Sequence, residues 1–330
     1  MTTPQPLPRE RFIAALERQP LTGRVPHFEL VFFLTMEAFG KVHPSHRVFS
    51  QWDQMEAKER ELQLQDIADT YILTAERYEH SAIFIHGPPH EEKDLLRLIE
   101  IIREKSGHRY FLMVHGDATY DIPSGDRMME FTMRLADAPE QVKAEADAMV
   151  NAALERARRL RRPGGLDGFA LCADYCLNVG PFLSPAMFGE FVTPYLAKLV
   201  QGYRDQGYYV IKHTDGNIMP ILDQLAQCRP HALHSLDPQA GVDLAEIKRL
   251  YGKELCLIGN VNCGLLDTGT DAQVDDAVRY ALQHGMPGGG YIFSTSNCIY
   301  TGMRLSRYHR MLILPHFSNP VGVKTSCEYG

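Results

Sequence analysis

Residues 211–217 read Ile-Lys-His-Thr-Asp-Gly-Asn: a β-branched run breaks off into His213, Asp215 and Asn217. Imidazole and carboxylate are groups that hold divalent metals and that donate or accept protons near neutral pH. Two positions apart at the end of a strand, His213 and Asp215 point the same way if the alternation continues. A plainer reading stands beside this one: Asp215 and Asn217 form an Asx turn and cap a helix that starts near Ile218. The two are compatible, because a carboxylate that turns the chain still presents its oxygens.

The same kinds of residue close the other apolar runs. His86 ends one, His115 with Asp117 another, and Asp174 a third; Asp237 follows a fourth. Asn260, Asn262 and Cys263 follow a fifth, and Ser294, Ser296, Asn297 and Cys298 close the last. His213, Asp215, Asp174 and His115 are the candidate acid/base groups. His86, Asn217, Asn260, Asn262, Ser294, Ser296 and Asn297 are candidates for binding substrate, and His213, Asp215 and Cys298 for holding a metal. Each has a structural alternative. A lone strand-end histidine is often a bonded core residue, Asn and Gly are common turn residues, and Cys263 and Cys298 can be small apolar fillers. Asp174 follows an apolar strand, where a carboxylate needs a partner or a raised pKa.

To converge, these residues need parallel strands. Eight candidates alternate with longer amphipathic runs: 24–33, 81–86, 109–115, 168–174, 208–213, 231–236, 254–259 and 290–295. Eight closes a (β/α)₈ TIM barrel, whose sites lie at the C-terminal strand ends. Helical material at Arg9 to Arg18 forms an N-terminal extension that closes the barrel's bottom. Further helical stretches lie at 50–78 and 125–162. Another starts at Ser184 as N-cap with Pro185 at the first position, and buries Phe188, Phe191, Val192, Tyr195, Leu196 and Leu199 on one face. Val274, Ala277, Val278, Ala281 and Leu282 make a similar stripe. A doubly wound open sheet needs a glycine-rich phosphate loop after its first strand, and none is present. Gly288-Gly289-Gly290 precedes a strand, which puts it on the opposite face in a structural role.

The chain has 330 residues, 45% of them hydrophobic and 23% charged, which suits a single barrel domain spanning 1–330 with a substantial core. A formal charge of -7 offers no general attraction to nucleic acid or to an anionic membrane. The seven cysteines (172, 176, 228, 256, 263, 298 and 327) are odd in number and sit mostly in apolar runs. Reduced thiols are therefore expected, and Cys172 and Cys176 have one residue too many between them for a thiol redox pair. The polar start lacks the apolar segment of a signal peptide, and no run is long enough to span a membrane, so a cytoplasmic location is expected.

Taken together, the motifs resemble the uroporphyrinogen decarboxylase superfamily, which also holds methylcobamide methyltransferases. The resemblance is carried by Arg9-ERFIAAL-Glu17 leading to Arg24-VP-His27, by "DYCLNVGPFLSP" from Asp174, "HTDGN" from His213, "LIGNVNC" from Leu257 and "GGGYIFSTSN" from Gly288. It implies a (β/α)₈ barrel with its site at the C-terminal mouth. The decarboxylases of that family carry a serine and an aspartate after the second strand, where this chain has His86 and Gly87, and an arginine pair that "FFLTMEAFGK" lacks. The methyltransferases bind zinc through His-x-Cys after the fifth strand and a cysteine after the eighth. Here His213 keeps the histidine, Asp215 takes the first cysteine's place and Asn297 roughly the second's, with Cys298 one residue off register. A carboxylate is a harder ligand than a thiolate, so zinc or another divalent metal would be held differently here, or not at all.

The resemblance thus implies corrinoid-linked methyl transfer, of the O-demethylase or methylcobamide methyltransferase type, with a corrinoid or tetrahydrofolate as cofactor. A corrinoid protein and a small-molecule substrate are the implied partners, and a homodimer the implied assembly. Two alternatives remain open: a decarboxylase or other lyase acting on a tetrapyrrole or small carboxylate, and a non-catalytic tetrapyrrole or corrinoid binding protein.

Overall fold

The computed structural model describes residues 5–20, 23–47, 51–89, 91–125 and 127–313. Cys327 lies outside them. The strands are β1 (Ala82–Ile85), β2 (Phe111–His115), β3 (Gly168–Leu171), the short pair β4 (Cys176–Leu177) and β5 (Gly180–Pro181), then β6 (Tyr209–Thr214), β7 (Ala232–Ser235), β8 (Cys256–Val261) and β9 (Tyr291–Thr295). Seven of them form one parallel sheet in the order β1-β2-β3-β6-β7-β8-β9, and β4 and β5 pair separately.

Helices cover the outside of this curled sheet, so both faces of each strand are buried and the alternation of side chains sorts them between two cores. Ile83, Leu112, Phe169, Val210, Leu233, Leu257 and Tyr291 face the helices. Phe84, Met113, Ala170, Ile211, Ala232, Ile258 and Ile292 face inward. The helix Pro8–Leu16 plugs the N-terminal end of that interior through Phe12, Ala15 and Leu16. Phe12 packs 4.8 Å from the Phe111 ring, and Arg9 grips Asp167 at 2.6 Å.

The first expected strand, 24–33, is not a ladder strand. It touches the two sheet edges only at isolated bridges, His27 to His80 and Phe293, and Phe32 to Ile299. Pro26 has no N–H to donate, so there the segment can only accept, which it does from Phe293 N at 2.9 Å. The sheet therefore has seven strands instead of the expected eight. The amphipathic stretch after Ser184 also divides, into helices Pro185–Phe191 and Thr193–Asp205. Pro194 can neither donate to the carbonyl four residues back nor fit beside it, and Val192 leaves the helical region while staying buried. In the same way 125–162 splits at Pro139 into Arg127–Asp137 and Pro139–Leu160. Ser184 caps its helix as expected, accepting from Met187 N at 3.3 Å.

One ion pair ties the loops after β2 and β3 to β6. Lys212, fully buried on the outer side of β6, donates to Asp117 Oδ2 and to Ala173 O, both at 2.8 Å, and sits 4.1 Å from the Tyr175 ring centroid. Asp117 also accepts from Thr119 N and Oγ1 and from Ala173 N. Burial pushes the Asp117 pKa up, but Lys212 and these donors outweigh it and the carboxyl is held below its usual range. Removing one member of a buried pair strands the other charge. Lys212→Met is therefore expected to destabilise the protein by about 3 kcal/mol in a denaturant melt, and adding Asp117→Asn should restore part of that loss.

Candidate functional site

Stepping each inward-facing series on by two residues places His86, His115, Cys172, His213, His234, Asn260 and Ser294 at one mouth, and Asp174 follows in the loop after β3. At its centre Asp174, His213 and Asp215 present ligand atoms that all lie within 4.8 Å of one another. His213 Nε2 is 3.7 Å from Asp215 Oδ1 and 3.9 Å from Asp174 Oδ1. Asp215 N donates to Asp174 Oδ1 at 2.9 Å, Ser235 Oγ donates to Asp215 Oδ1 at 2.7 Å, and Asn297 Nδ2 donates to Asp215 Oδ2. Asp215 is thus held by side chains from two other strands' ends and makes no Asx turn. Asn217 does: its Oδ1 accepts from Met219 N at 3.1 Å.

Behind His213 runs a buried polar chain. His213 Nδ1 lies 2.7 Å from His234 Nδ1, its register partner on β7. His234 Nε2 and Ser294 Oγ are 3.4 Å apart, and Ser294 Oγ donates to Glu29 Oε2 at 3.4 Å. Glu29 Oε2 also accepts from Thr295 N and Oγ1, and its Oε1 is 3.1 Å from His27 Nε2. With the single Ser294 proton given to Glu29, His234 must donate through Nε2 and accept through Nδ1. His213 then donates through Nδ1, and its Nε2 lone pair faces the two carboxylates.

Three acceptors thus converge at the mouth, an arrangement that suits a proton or a cation between them. Burial, then the neighbouring Asp174 and Asp237 carboxylates, push Asp215 up to about 7, against the donated bond from Ser235. Burial, then Lys212 and His115, press His213 down to about 3, so its imidazole is neutral. The same arrangement suits a divalent cation, with His213 Nε2 and oxygens of Asp174 and Asp215 as ligands and His234 orienting the imidazole from behind.

His86 and His115 form a second polar pair, Nδ1 to Nε2 at 2.7 Å. Phe84 packs 4.5 Å from the His115 ring, and Phe33, stacked on His46 at 4.8 Å, borders the His86 side. His115 is near enough to His213 to lower its pKa, so the pair and the triad share one mouth.

The remaining expected residues divide. Asn260 Nδ2 donates to Leu236 O at 3.0 Å, and Asn262 Oδ1 caps a short helix through Gly264 N at 2.9 Å, so both amides serve the backbone. Ser296 Oγ accepts from Cys263 N at 3.4 Å, whereas Ser294 belongs to the chain behind His213. Asn297 touches the triad through Asp215. Cys298 packs against the inner core outside the convergent group, and burial raises its thiol to about 12. Cys263 is also raised by burial. Sequence reasoning passed over His234, Ser235, Glu29 and His46. For His234 the signal was present, since the alternation that picks out His213 picks it out too. Glu29 was visible as a lone carboxylate in "HFELVFF".

A parallel α/β sheet curled around an apolar interior, with its polar side chains gathered at the C-terminal strand ends, is the plan of a barrel-type enzyme. The sequence model for uroporphyrinogen decarboxylase matches residues 93–315, and the chain belongs to that family. Among solved structures, a methyltransferase from Methanosarcina mazei shares the fold at 16% identity and a TM-score of 0.71, over 95% of this chain and 99% of that one. A protein described as a vitamin-B12 independent methionine synthase from Listeria monocytogenes is similar at 11% identity and a TM-score of 0.50, over 90% of this chain and 96% of that one. No curated protein matches the chain in sequence. Among the described residues, no helix is long and apolar enough to cross a membrane.

The raised pKa of Asp215 makes a pH prediction. A folded-state value near 7 against an ordinary 3.8 favours folding fully below about pH 4, and that contribution is lost as pH rises through 7. Asp215→Asn carries no such loss. Its stability relative to the parent should rise between about pH 5 and pH 8, by about 2.5 kcal/mol, in urea melts taken at both values.

Proposed function

We propose that the chain is a methyltransferase of the uroporphyrinogen decarboxylase family, moving a methyl group from an O-methyl donor to a corrinoid. The observation that carries this reading is the convergence of His213 Nε2 with Asp174 and Asp215 at the barrel mouth. The likeness to the Methanosarcina methyltransferase supports it over nearly the full length of both chains.

The site departs from the thiolate zinc centre that the sequence resemblance implies. The two positions matching that centre's cysteines are Asp215 and Asn297, and here they are hydrogen-bonded to each other. Cys298 is neutral and stands outside the triad. The donor set fits a proton, or a hard divalent cation held by His213, Asp174 and Asp215, and does not fit soft thiolate chemistry. A reduced corrinoid, when bound, supplies the nucleophile for the methyl group. Asp215 holds a proton near neutrality and can pass it to the donor oxygen as the methyl–oxygen bond breaks, so that the product leaves as an alcohol or phenol. The neighbouring Asp174 favours the protonated form of Asp215, while the neutral His213 is fixed by His234. The His86–His115 pair and Phe33 offer an imidazole and aromatic wall for a planar substrate.

The test is turnover of a methoxylated aromatic with a corrinoid protein. His213→Ala and Asp215→Ala should fold normally and lose about 100-fold or more in kcat. The rate of the parent should fall as pH rises through about 7, where Asp215 gives up its proton. Metal content measured on the same sample separates the proton reading from the cation reading. Full turnover in both variants would sink the site assignment.

A further inference from the structure

We propose that the face opposite the mouth carries a second binding site, for a multivalent oxyanion, formed by Arg18, Arg204, Arg229, His231 and Lys253 in one cleft. The cleft, about 810 Å³, opens where β6, β7 and β8 begin, at the far end of those strands from His213.

Four cations line it, together with Glu17, Asp205 and Glu254. Among the described residues, none of the four makes an ion pair with these acids. Two of the acids are already engaged by neutral donors: Glu17 accepts from Tyr209 OH at 2.6 Å and from Gln19 Nε2 at 2.8 Å, and Asp205 from Gln201 Nε2 at 2.6 Å. The two half-buried guanidiniums are anchored by backbone carbonyls. Arg18 donates to Leu16 O and Arg204 to Arg229 O, each at 3.1 Å, and each keeps further N–H groups for a ligand.

His231 adds a donor. Its Nδ1 accepts from Val210 N at 2.9 Å, so the neutral ring carries its hydrogen on Nε2. Burial, then Arg204 and Arg18, lower its pKa to about 4, so the ring is neutral beside the two guanidiniums. Arg204 is lowered likewise by burial, Arg229 and Arg18.

The backbone supplies an independent observation. Arg18 and Arg229 follow the helices Pro8–Leu16 and Leu222–Gln227 with φ of 58° and 57°, a left-handed conformation that glycine adopts without strain. Among the described residues, two of the five non-glycine residues with positive φ are thus arginines on this cleft, and two others, Ser235 and Leu236, stand at the mouth. The glycine run before β9 makes room for one of them: a Cβ on Gly290 would stand 2.9 Å from Arg18 Cγ. Planar guanidiniums paired with a polarised N–H suit phosphate or carboxylate oxygens.

Titration calorimetry of the full chain at low salt, with tripolyphosphate and with citrate, tests this. Saturable binding of one equivalent is expected, weakened ten-fold or more by Arg204→Ala and by Arg229→Gly. Arg229→Gly also relieves the backbone, so its melting temperature should hold or rise, and lost binding then cannot come from unfolding. Preference for tripolyphosphate assigns a phosphate ester and preference for citrate a polycarboxylate; either supports the site. No saturable binding of either anion, or undiminished binding in Arg229→Gly, overturns it.

Discussion

The architecture depends on strands that are buried on both faces. When helices cover the outside and a helix plugs one end, every strand residue belongs to one of two cores, and the choice alternates strictly along the chain. An inward series that begins Phe84, Met113, Ile211 or Ile258 must continue to His86, His115, His213 or Asn260. The interior stays apolar until the C-terminal ends and turns polar there. Lys212 follows the same rule on the other side: one residue from His213, it faces the helices and holds the loops that frame the mouth.

That geometry also sets the electrostatics. Loops can scatter carboxylates, but Asp174 and Asp215 are brought beside a neutral imidazole whose other nitrogen is committed to His234. Low solvation and mutual repulsion then favour a shared positive charge, which is why Asp215 titrates near neutrality while Asp117, facing Lys212, stays ionised. The two half-buried carboxylates differ in partner: Asp117 faces a lysine and Asp215 another carboxylate.

Breaks in the helices and in the first strand follow from proline. Pro194 cuts a continuous amphipathic stripe into two helices without exposing it, because the break costs a backbone bond and leaves the apolar contacts in place, and Pro139 divides the helical stretch 125–162. Pro26 limits 24–33 to isolated bridges between the sheet's edges. Apolar periodicity reports which residues are buried, and says less about whether the backbone between them is regular.

By itself the sequence determined the parallel α/β plan, seven of the eight expected strands, the helix at the N-terminal end and the polar character of the mouth. These depend on local alternation and on caps such as Ser184 and Asn217, which act within a few residues. Which polar groups meet was decided by tertiary structure. His234 becomes the partner of His213 only through the register of β6 with β7, and Asn297 reaches Asp215 across 82 residues of chain. Arg18, Arg204, Arg229 and Lys253 share a cleft because separate turns end on one face. Such meetings depend on how strands are ordered and aligned in the sheet, which no local pattern encodes.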